Sequence, residues 1–319
     1  MSSGTAALQL ALRLAGVQAG DFVIVPNLTF VASLNAICHQ GGTPLLIDVD
    51  ADTWQMDLDL LEAFLAGECK SSEGGSLFSN THKRRIAAIL PVHVLGNTGD
   101  MDRLLQLAAT YGLPLVEDAT EAIGTTFRGA HAGGFGLMGC LSFNANKLIT
   151  TGGGGMILTH DAELARQARH LSTQAKLPGM DYAHDAIGYN CRMTALAAAL
   201  GLAQVEQLPD FLARRRQIAA LYRQALPELR FQQHLPEVDP NHWLTTVYVP
   251  DKETLLHRLL AKNIQCRPLW QPMNELPMFR EAPYLNRHHV SRDLYAHCVS
   301  LPSSNGLSDA ELGEVVSCI

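Results

Sequence analysis

The stretch SFNANKLITTGGGGM, residues Ser142 to Met156, places a single lysine, Lys147, between a strand-like run and four glycines. Glycine allows a tight turn and a close approach of the backbone to a ligand. A lysine sheltered in such a place is a candidate Schiff-base nucleophile, because burial lowers the pKa of its amine. Taken alone, a lysine whose stem packs beside a glycine bulge is the simpler interpretation. The choice between them depends on the surrounding sequence.

Helix-like and strand-like segments alternate on the N-terminal side of this stretch and up to about Gly201. Helical patterns in TAALQLALRLAG, FVASLNAICHQG and MDRLLQLAATYG are separated by strand patterns in DFVIVP, TPLLIDVD, RIAAIL and LPLVEDA. The alternation predicts an α/β fold with a mostly parallel sheet covered by helices on both faces. The polar run from Gly67 to Lys83 is expected to be an exposed excursion.

Beyond Gly201 the pattern changes. The helical run LAQVEQLPDFLARRRQIAALYRQAL has an expected kink at Pro209, and shorter segments punctuated by proline follow it. We therefore expect a large domain over residues 1–205 and a smaller domain over residues 206–319. A chain of 319 residues that is 47% hydrophobic and 17% charged is long enough for two such domains.

The composition argues against several classes of partner. The formal net charge is -7 and the basic runs HKRR and ARRR are short, so nucleic acid is not expected to bind. Seven cysteines occur without the spacing of metal ligands, which favours no metal and reduced thiols, as in the cytoplasm. The opening MSSGTAAL lacks the features of a signal peptide, and no apolar run is long enough to cross a bilayer. A soluble, cytoplasmic protein without a membrane partner is expected.

Polar residues at the carboxyl ends of the strands are the candidates for a site, because ligands gather there in open parallel sheets. Asp118 ends an apolar strand, where a carboxylate either holds a protonated ring nitrogen of a cofactor or caps the next segment. The segment SSGTAA opens the first helix and offers N–H groups to an anion, although a plain helix cap explains it as well. Phe30 is more often a core residue than a stacking partner, and Asn190 could simply cap the helix TALAAALG.

The pattern GFGLMG, Gly134 to Gly139, matches the GxGxxG of dinucleotide-binding proteins. That fingerprint should follow a strand and open a helix, whereas the next segment here, CLSF, is strand-like. A nucleotide-sugar oxidoreductase that uses NAD(P)H is therefore disfavoured.

The segments SSGTAAL, VPNLTFVAS, PVHVLGNTGDMD, VEDATEAIGT, SFNANKLITTGGGGM, IGYNCRMTALAAALGLAQVEQL and CRPLWQPM, in this order, resemble the DegT/StrS family of pyridoxal-phosphate (PLP) sugar aminotransferases. The resemblance implies fold type I, a mostly parallel sheet between helices with a smaller C-terminal α/β domain. EDATEA, ITTGGGGM and LSTQAK are most similar to the branch that aminates UDP-linked 4-keto-6-deoxy-N-acetylhexosamines, on the routes to bacillosamine and legionaminic acid. Surface glycan or nonulosonic acid biosynthesis is the implied setting.

The resemblance also implies the catalytic roles. Lys147 forms the Schiff base with PLP and, once released, moves the proton between cofactor and substrate. Asp118 pairs with the pyridine nitrogen, so that the ring accepts electrons. The implied reaction takes an amino group from L-glutamate and delivers it to the keto sugar nucleotide. Lys147 separates the chain from related dehydratases, in which a histidine takes its place.

The remaining implied contacts surround the cofactor and the substrate. The cofactor-binding residues are Gly4, Thr5, Ala6 and Ser142 at the phosphate, Phe30 on the ring face, and Glu121 at the ring hydroxyl, where many relatives have Gln or His. Asn190 reaches the phosphate of the other subunit's cofactor, which implies a homodimer with shared active sites. The substrate-side candidates are His184, Arg192 and Arg267.

Members of the family carry a leading segment of several tens of residues before the phosphate-binding helix, which here follows Met1 directly. This N-terminal segment is therefore expected to be missing, and the chain to fold less stably and bind PLP more weakly than its relatives. The alternative function is a truncated, non-catalytic homologue that binds PLP or a sugar nucleotide.

Overall fold

The computed structural model describes residues 1–319, in which helices and strands alternate along most of the chain. The ten α-helices are α1 (Gly4–Leu14), α2 (Ala32–His39), α3 (Leu58–Glu68), α4 (Met101–Thr110), α5 (Ala162–Ser172), α6 (Ala195–Glu206), α7 (Leu208–Ala225), α8 (Lys252–Ala261), α9 (Val290–His297) and α10 (Asp309–Ser317). The strands are β1 (Phe22–Pro26), β2 (Thr43–Ile47), β3 (Cys69–Ser71), β4 (Leu77–Ser79), β5 (Arg85–Ile89), β6 (Val116–Asp118), β7 (Thr126–Phe127), β8 (Ala130–His131), β9 (Met138–Ser142), β10 (Gly155–Leu158), β11 (Arg230–Phe231), β12 (Val238–Asp239), β13 (Thr245–Tyr248), β14 (Arg267–Pro268), β15 (Tyr284–Leu285) and β16 (Cys298–Leu301). None of the helices combines the length and the apolar character that a bilayer crossing requires.

The central layer consists of two sheets that meet between β5 and β6. The larger sheet has the strand order β15-β2-β1-β5-β4-β3, in which β15, β2, β1 and β5 are parallel and β4 and β3 are antiparallel. The smaller sheet has the order β10-β9-β6, with β6 and β9 parallel. Backbone pairing between the two consists of the isolated bridges Ile89↔Leu115 and Val92↔Asp118. The mostly parallel α/β fold expected from the sequence is confirmed.

The polar run from Gly67 to Lys83 is more than the surface excursion expected from its composition. It contains the antiparallel pair β3 and β4, and β4 pairs with β5, so the run extends the larger sheet. Leu77 and Ser79 are buried, while the turn between the two strands is exposed. The expectation was wrong for these two residues, because two apolar residues, Leu77 and Phe78, in a polar run are too weak a pattern to indicate a strand.

Helix α1 brings the start of the chain to the end of β9. Ser3 caps the helix, its Oγ accepting the N–H of Ala6 at 3.1 Å. The buried residues Leu8 and Leu12 hold α1 between α2 and the strands β9 and β10. The helix N-terminus therefore lies beside the carboxyl end of the smaller sheet, where anionic ligands are favoured.

The C-terminal part of the chain has a core of its own. The sheet β11-β13-β16-β14 packs against α7, α8 and α10 around the buried residues Ile218, Tyr222, Val247, Leu255, Val299 and Val315. The long helical run ends at Glu206 and resumes at Leu208, with Pro209 in the first turn of α7, so the break lies next to the expected kink. We propose that the two domains divide at residues 205 and 206. Strands β12 and β15 nevertheless pair with strands of the N-terminal domain.

Asn241 fastens the C-terminal domain to the N-terminal one. Its fully buried side chain donates from Nδ2 to the carbonyl oxygens of Glu121 at 2.8 Å and Ile123 at 2.9 Å. The backbone of Gly96 passes directly over it: a Cβ atom at Gly96 would lie 1.7 Å from Asn241 Oδ1. Gly96 also has a φ of +82°, so both its space and its conformation require glycine.

Replacing Gly96 by alanine is expected to destabilise the protein strongly. Steric overlap with Asn241 and the left-handed conformation together cost roughly 2–5 kcal/mol. Gly112→Ala is the matched control, because Gly112 also has a positive φ, of +63°, but has no atom within 4 Å of the added Cβ. Urea unfolding followed by circular dichroism compares the two variants. Equal losses of stability in both would contradict the role of Asn241.

Candidate active site

A cavity of about 310 Å³ lies where the carboxyl ends of β6 and β9 meet the N-terminus of α1. Residues of both domains line it, since Trp243 and Trp270 come from the C-terminal domain. Six residues predicted from the sequence contribute to its wall: Gly4, Thr5, Phe30, Glu121, Ser142 and Lys147. The structure therefore brings together residues that are as much as 143 positions apart in the sequence, from Gly4 to Lys147.

One end of the cavity is suited to an anion. The first amides of α1, those of Gly4 and Thr5, have no acceptor within the chain, whereas the amide of Ala6 is bonded to Ser3. A Cβ atom on Gly4 would lie 2.8 Å from the Cβ of Ser142, so the helix end and Ser142 are in close contact. Two free N–H groups at the positive end of a helix dipole, beside a serine hydroxyl, form a site that favours a phosphate group.

The ammonium group of Lys147 is at the other side of this cavity, in the turn that follows β9. Its side chain is only 11% exposed, and Nζ lies 3.7 Å from Oε1 of Glu121. Nζ also lies 4.0 Å from the centre of the Trp243 ring, in a cation–π contact. The Trp243 Nε1 donates to the carbonyl oxygen of Asn146 at 2.8 Å, which fixes the ring beside the lysine.

The glycines after Lys147 serve the packing of the helix end. Gly153 and Gly154 are part of the cavity wall, and Gly152 has a φ of +74° that turns the chain back towards β10. At Gly155 a Cβ atom would lie 2.4 Å from the carbonyl oxygen of Ser3. Only a residue without a side chain allows β10 to pass so close to the N-terminus of α1.

Asp118 lies behind the cavity wall, at the end of β6, and is 3% exposed. Its Oδ2 accepts a 2.6 Å hydrogen bond from Ser33 Oγ, and its Oδ1 accepts the N–H of Thr120 at 3.1 Å. No helix begins after Asp118, so the alternative role as a helix cap is excluded. No pattern in the sequence indicated Ser33, which belongs to α2 and meets Asp118 only in the fold.

Glu121 is a buried carboxyl group next to the lysine. It is 4% exposed, and its Oε2 accepts the N–H of Leu95 at 2.8 Å. Burial raises the pKa of Glu121 to about 7. The charge of Lys147 and the Leu95 amide oppose this by lowering the pKa, while the charge of Asp118 raises it further. This carboxyl group therefore exchanges its proton near neutral pH.

Four other predicted residues lie outside the cavity of this chain and are exposed: His184, Asn190, Arg192 and Arg267. The helix-cap alternative for Asn190 is wrong, because Thr194 caps α6 by accepting the N–H of Ala197. Asn190 instead pairs through its backbone with Thr173.

Two tryptophans were missed by the interpretation of the sequence. The rings of Trp243 and Trp270 are nearly parallel, at an angle of 19° with centroids 6.5 Å apart. Phe30, which belongs to the N-terminal domain, contacts Trp270 with an angle of 60° between the two ring planes, and its side chain is 52% exposed. The available signal was an aromatic residue in each of the polar or proline-rich segments NHWL and RPLWQP. These three rings form an aromatic wall of the cavity, defined here as Phe30, Trp243 and Trp270.

The GFGLMG segment, Gly134 to Gly139, is a turn that runs into β9. Because a strand and not a helix follows it, it lacks the context of a dinucleotide fingerprint.

Comparison with known proteins identifies the relatives of this chain. The model of the DegT/DnrJ/EryC1/StrS aminotransferase family matches residues 1–319. GDP-perosamine synthase of Escherichia coli O157:H7 is 37% identical over 317 residues, which cover 98% of this chain and 82% of the relative. UDP-N-acetyl-3-dehydro-alpha-D-glucosamine 3-aminotransferase of Acidithiobacillus ferrooxidans is 37% identical over 325 residues, which cover 100% of this chain and 82% of the relative.

The fold is shared with solved structures. The protein Spr1654 of Streptococcus pneumoniae, in its PLP form, superposes with a TM-score of 0.86 at 27% identity, covering 99% of this chain and 84% of that one.

The buried Glu121 is expected to make the cofactor-free protein less stable as pH rises. The folded pKa is raised from 4.5 to about 7, so the folded chain keeps a proton that the unfolded chain has lost. The stability from this proton is complete below pH 4.5 and is lost as pH rises through 7. The loss amounts to roughly 3 kcal/mol. Urea unfolding at both ends of this range should show it in the wild type and not in Glu121→Gln.

The exposed Glu314→Gln serves as the control, because the Glu314 side chain meets water in the folded and the unfolded chain. An equal pH dependence in the wild type and in Glu121→Gln would show that Glu121 is not the titrating group.

Proposed function

This chain belongs to the DegT/DnrJ/EryC1/StrS aminotransferase family, and on that basis we propose that it transfers the amino group of L-glutamate to a UDP-linked 4-keto-6-deoxy-N-acetylhexosamine. At the coarser level it is a PLP-dependent sugar aminotransferase that acts on nucleotide sugars. The observation that carries the proposal is the amine of Lys147, held by Glu121 and Trp243 in a cavity whose other end is the free N-terminus of α1.

The residues around the cavity fit PLP. The free amides of Gly4 and Thr5 with Ser142 match a phosphate, and a side chain on Gly4 would fill this end of the cavity's wall. Lys147 supplies a primary amine for an aldehyde. Asp118 is a buried carboxylate whose two oxygens each accept one hydrogen bond, which leaves lone pairs for a protonated ring nitrogen.

PLP, when bound, supplies an aldehyde that takes up the amino group and a ring that withdraws the electrons of the broken C–H bond. Lys147 binds the cofactor through Nζ and, when its amine is free, holds and returns the proton at the substrate carbon. The Trp243 ring and Glu121 hold Nζ beside the cavity. Because the Lys147 side chain is only 11% exposed, its amine is also largely protected from water.

The two carboxyl groups near the lysine have different tasks in this proposal. Asp118 stays behind the wall, where its negative charge favours a positive ring nitrogen. Glu121, with a pKa of about 7, accepts or releases a proton at Oε1, 3.7 Å from the lysine amine. Such a carboxyl group adjusts its charge when the charge on Lys147 changes, so the pair avoids an unbalanced buried charge.

The aromatic wall supports a sugar as the acceptor. Phe30 and Trp270 line the cavity, and Phe30 leaves about half of its surface to solvent. Apolar C–H faces of a sugar pack against such rings, while its hydroxyl groups remain free for polar partners. The UDP group and the keto group at C4 are proposed from the segments EDATEA, ITTGGGGM and LSTQAK. Relatives act on GDP-linked as well as UDP-linked sugars, according to their names.

We also propose a homodimer with shared active sites. Helix α6 has no buried residue although it is largely apolar, and Leu196 is 87% and Leu202 64% exposed. The preceding segment exposes Met180 and Ile187 as well. A helix that is apolar all round is normally covered, and a second copy of the chain is the occupant we propose. Asn190 lies between these exposed residues, as required of a side chain that reaches the partner's cofactor.

Amino transfer from L-glutamate is expected only with the UDP-linked 4-keto-6-deoxy-N-acetylhexosamine. The purified, PLP-loaded protein is mixed with L-glutamate and one of three acceptors: this sugar, a GDP-linked 4-keto-6-deoxy sugar or a UDP-linked 3-keto sugar. Mass spectrometry of the nucleotide sugar and an assay for 2-oxoglutarate should report equal amounts of both products. Turnover with another acceptor alone would correct the substrate. Absence of turnover with all three would support a non-catalytic homologue.

Lys147→Met should abolish this transfer and the visible absorption of the PLP-loaded protein. Removing a group that both binds the cofactor and moves a proton lowers kcat by at least roughly 10²–10⁴-fold. Lys262→Met is the control, because Lys262 is an exposed lysine of the C-terminal domain. Full activity of Lys147→Met would refute the assignment of the lysine.

Replacing Leu202 by aspartate is expected to convert the dimer into a monomer, because a charge then stands on the apolar surface of α6 that we propose the second copy covers. Sedimentation velocity or light scattering at several protein concentrations measures the mass. Leu260→Asp, at a 51% exposed leucine of α8, is the matched control and should leave the mass of a dimer unchanged. A wild-type chain that is monomeric at all concentrations would refute the shared site.

A further inference from the structure

We propose that Glu117 and His93 are positioning residues that hold Asp118 in place, and that the turn Gly133–Gly136 is built to bind the Glu117 carboxylate. This inference rests on the proposed role of Asp118 towards the cofactor. It gives a task to two buried titratable residues and to the glycine-rich segment that the site itself leaves unexplained.

The Glu117 carboxylate accepts four hydrogen bonds in a place without access to water. Its Oε2 accepts from His93 Nε2 at 2.9 Å and from the N–H of Gly133 at 2.7 Å. Its Oε1 accepts from the N–H groups of Phe135 and Gly136, both at 2.7 Å. The side chains of Glu117 and His93 are 0% and 1% exposed.

These four bonds keep Glu117 ionised. Burial alone raises the pKa of a carboxyl group, but the bond from His93 and the amides of Gly133 and Gly136 outweigh it, so the pKa of Glu117 is lowered. All four partners are donors, and a carboxylate next to Nε2 means that this nitrogen of His93 carries a proton. A fully bonded buried anion is rigid, because moving it would leave several of its donors without an acceptor.

The position of this anion matters because Asp118 is its neighbour on β6. Successive residues of a strand point to opposite faces, so Glu117 is held on one face while Asp118 meets Ser33 on the other. His93 is hydrogen-bonded to both residues. Its side chain binds Glu117, and its backbone N–H donates to the Asp118 carbonyl oxygen at 3.0 Å.

These hydrogen bonds of His93 lie at the junction of the two sheets, where backbone pairing is sparse. Between β5 and β6 there are only isolated bridges, one of which joins Val92 to Asp118. The His93–Glu117 bond adds a side-chain connection at this level, from the segment after β5. From the other side, the turn Gly133–Gly136 leads into β9, which pairs with β6. The end of β6 is therefore fixed from both of its neighbours.

The glycines of GFGLMG fit this task. A Cβ atom at Gly136 would lie 2.5 Å from the carbonyl oxygen of Leu115, and one at Gly139 would lie 1.9 Å from that of Gly133. The absence of side chains lets the turn close onto β6 with its amides directed at one carboxylate, as in other anion-binding turns of the backbone.

Spectroscopy of the PLP-loaded protein tests the inference. The midpoint of the pH-dependent change in its visible absorption reports on the proton at the link between Lys147 and PLP. That midpoint depends on the charge of the ring nitrogen, which Asp118 would stabilise, so Asp118→Asn is expected to shift it. His93→Leu and Glu117→Gln should shift the midpoint in the same direction, and lower kcat by roughly 10- to 100-fold with little change in KM. His93→Gln keeps an N–H donor and should restore both. If Glu117→Gln does not fold, the variants His93→Leu and His93→Gln still provide the test, because three backbone amides continue to bind the Glu117 carboxylate in both.

His131→Leu is the matched control, because His131 accepts the N–H of Gly124 and does not bond to Glu117. It should lower the melting temperature at most. If the midpoint shifts in Asp118→Asn but not in His93→Leu or Glu117→Gln, the inference is overturned while the proposed role of Asp118 stands. Glu117 and His93 would then be merely structural. An unchanged Asp118→Asn overturns the proposed role of Asp118, and the inference with it.

Discussion

Three carboxyl groups are buried within five residues at the end of β6, and their burial constrains the structure around them. Glu117, Asp118 and Glu121 are at most 4% exposed. An unpaired charge in such a place is strongly unfavourable, so each group requires partners from elsewhere in the chain. The partners come from the segment after β5, from α2, from the turn before β9 and from Lys147. Much of the tertiary arrangement near the cavity follows from supplying them.

The degree to which each carboxyl group is satisfied separates structure from chemistry. Glu117 has four donors and no reason to change its charge. Asp118 has two, which leaves room for a cationic partner. Glu121 has one amide and a lysine 3.7 Å away, and its pKa of about 7 leaves it poised between two charge states. Along five residues of chain, the environment changes from a fixed anion to a group that exchanges protons.

The sequence predicted what depends on local pattern and on the ends of strands. Periodicity indicated α1, β1, β2 and β6, and the carboxyl-end rule led to Lys147, Asp118 and the start of α1. The hairpin of β3 and β4, Asn241 and the two tryptophans of the aromatic wall were not predicted, because each depends on partners far away in the chain. His184, Asn190, Arg192 and Arg267 lie outside the cavity of one chain. The role proposed for Asn190 requires a partner subunit, which a single sequence does not describe.

The link through Asn241 has a consequence for how substrates reach the cavity. Asn241 is bonded to the backbone of Glu121 and Ile123, and strands β12 and β15 belong to sheets of the N-terminal domain. A hinge motion that swings the whole C-terminal domain aside would break all of these connections at once. The catalytic chamber is therefore not opened and shut by domain rotation. The half-exposed Phe30 in the cavity wall marks a route to the cavity that leaves all of these connections intact.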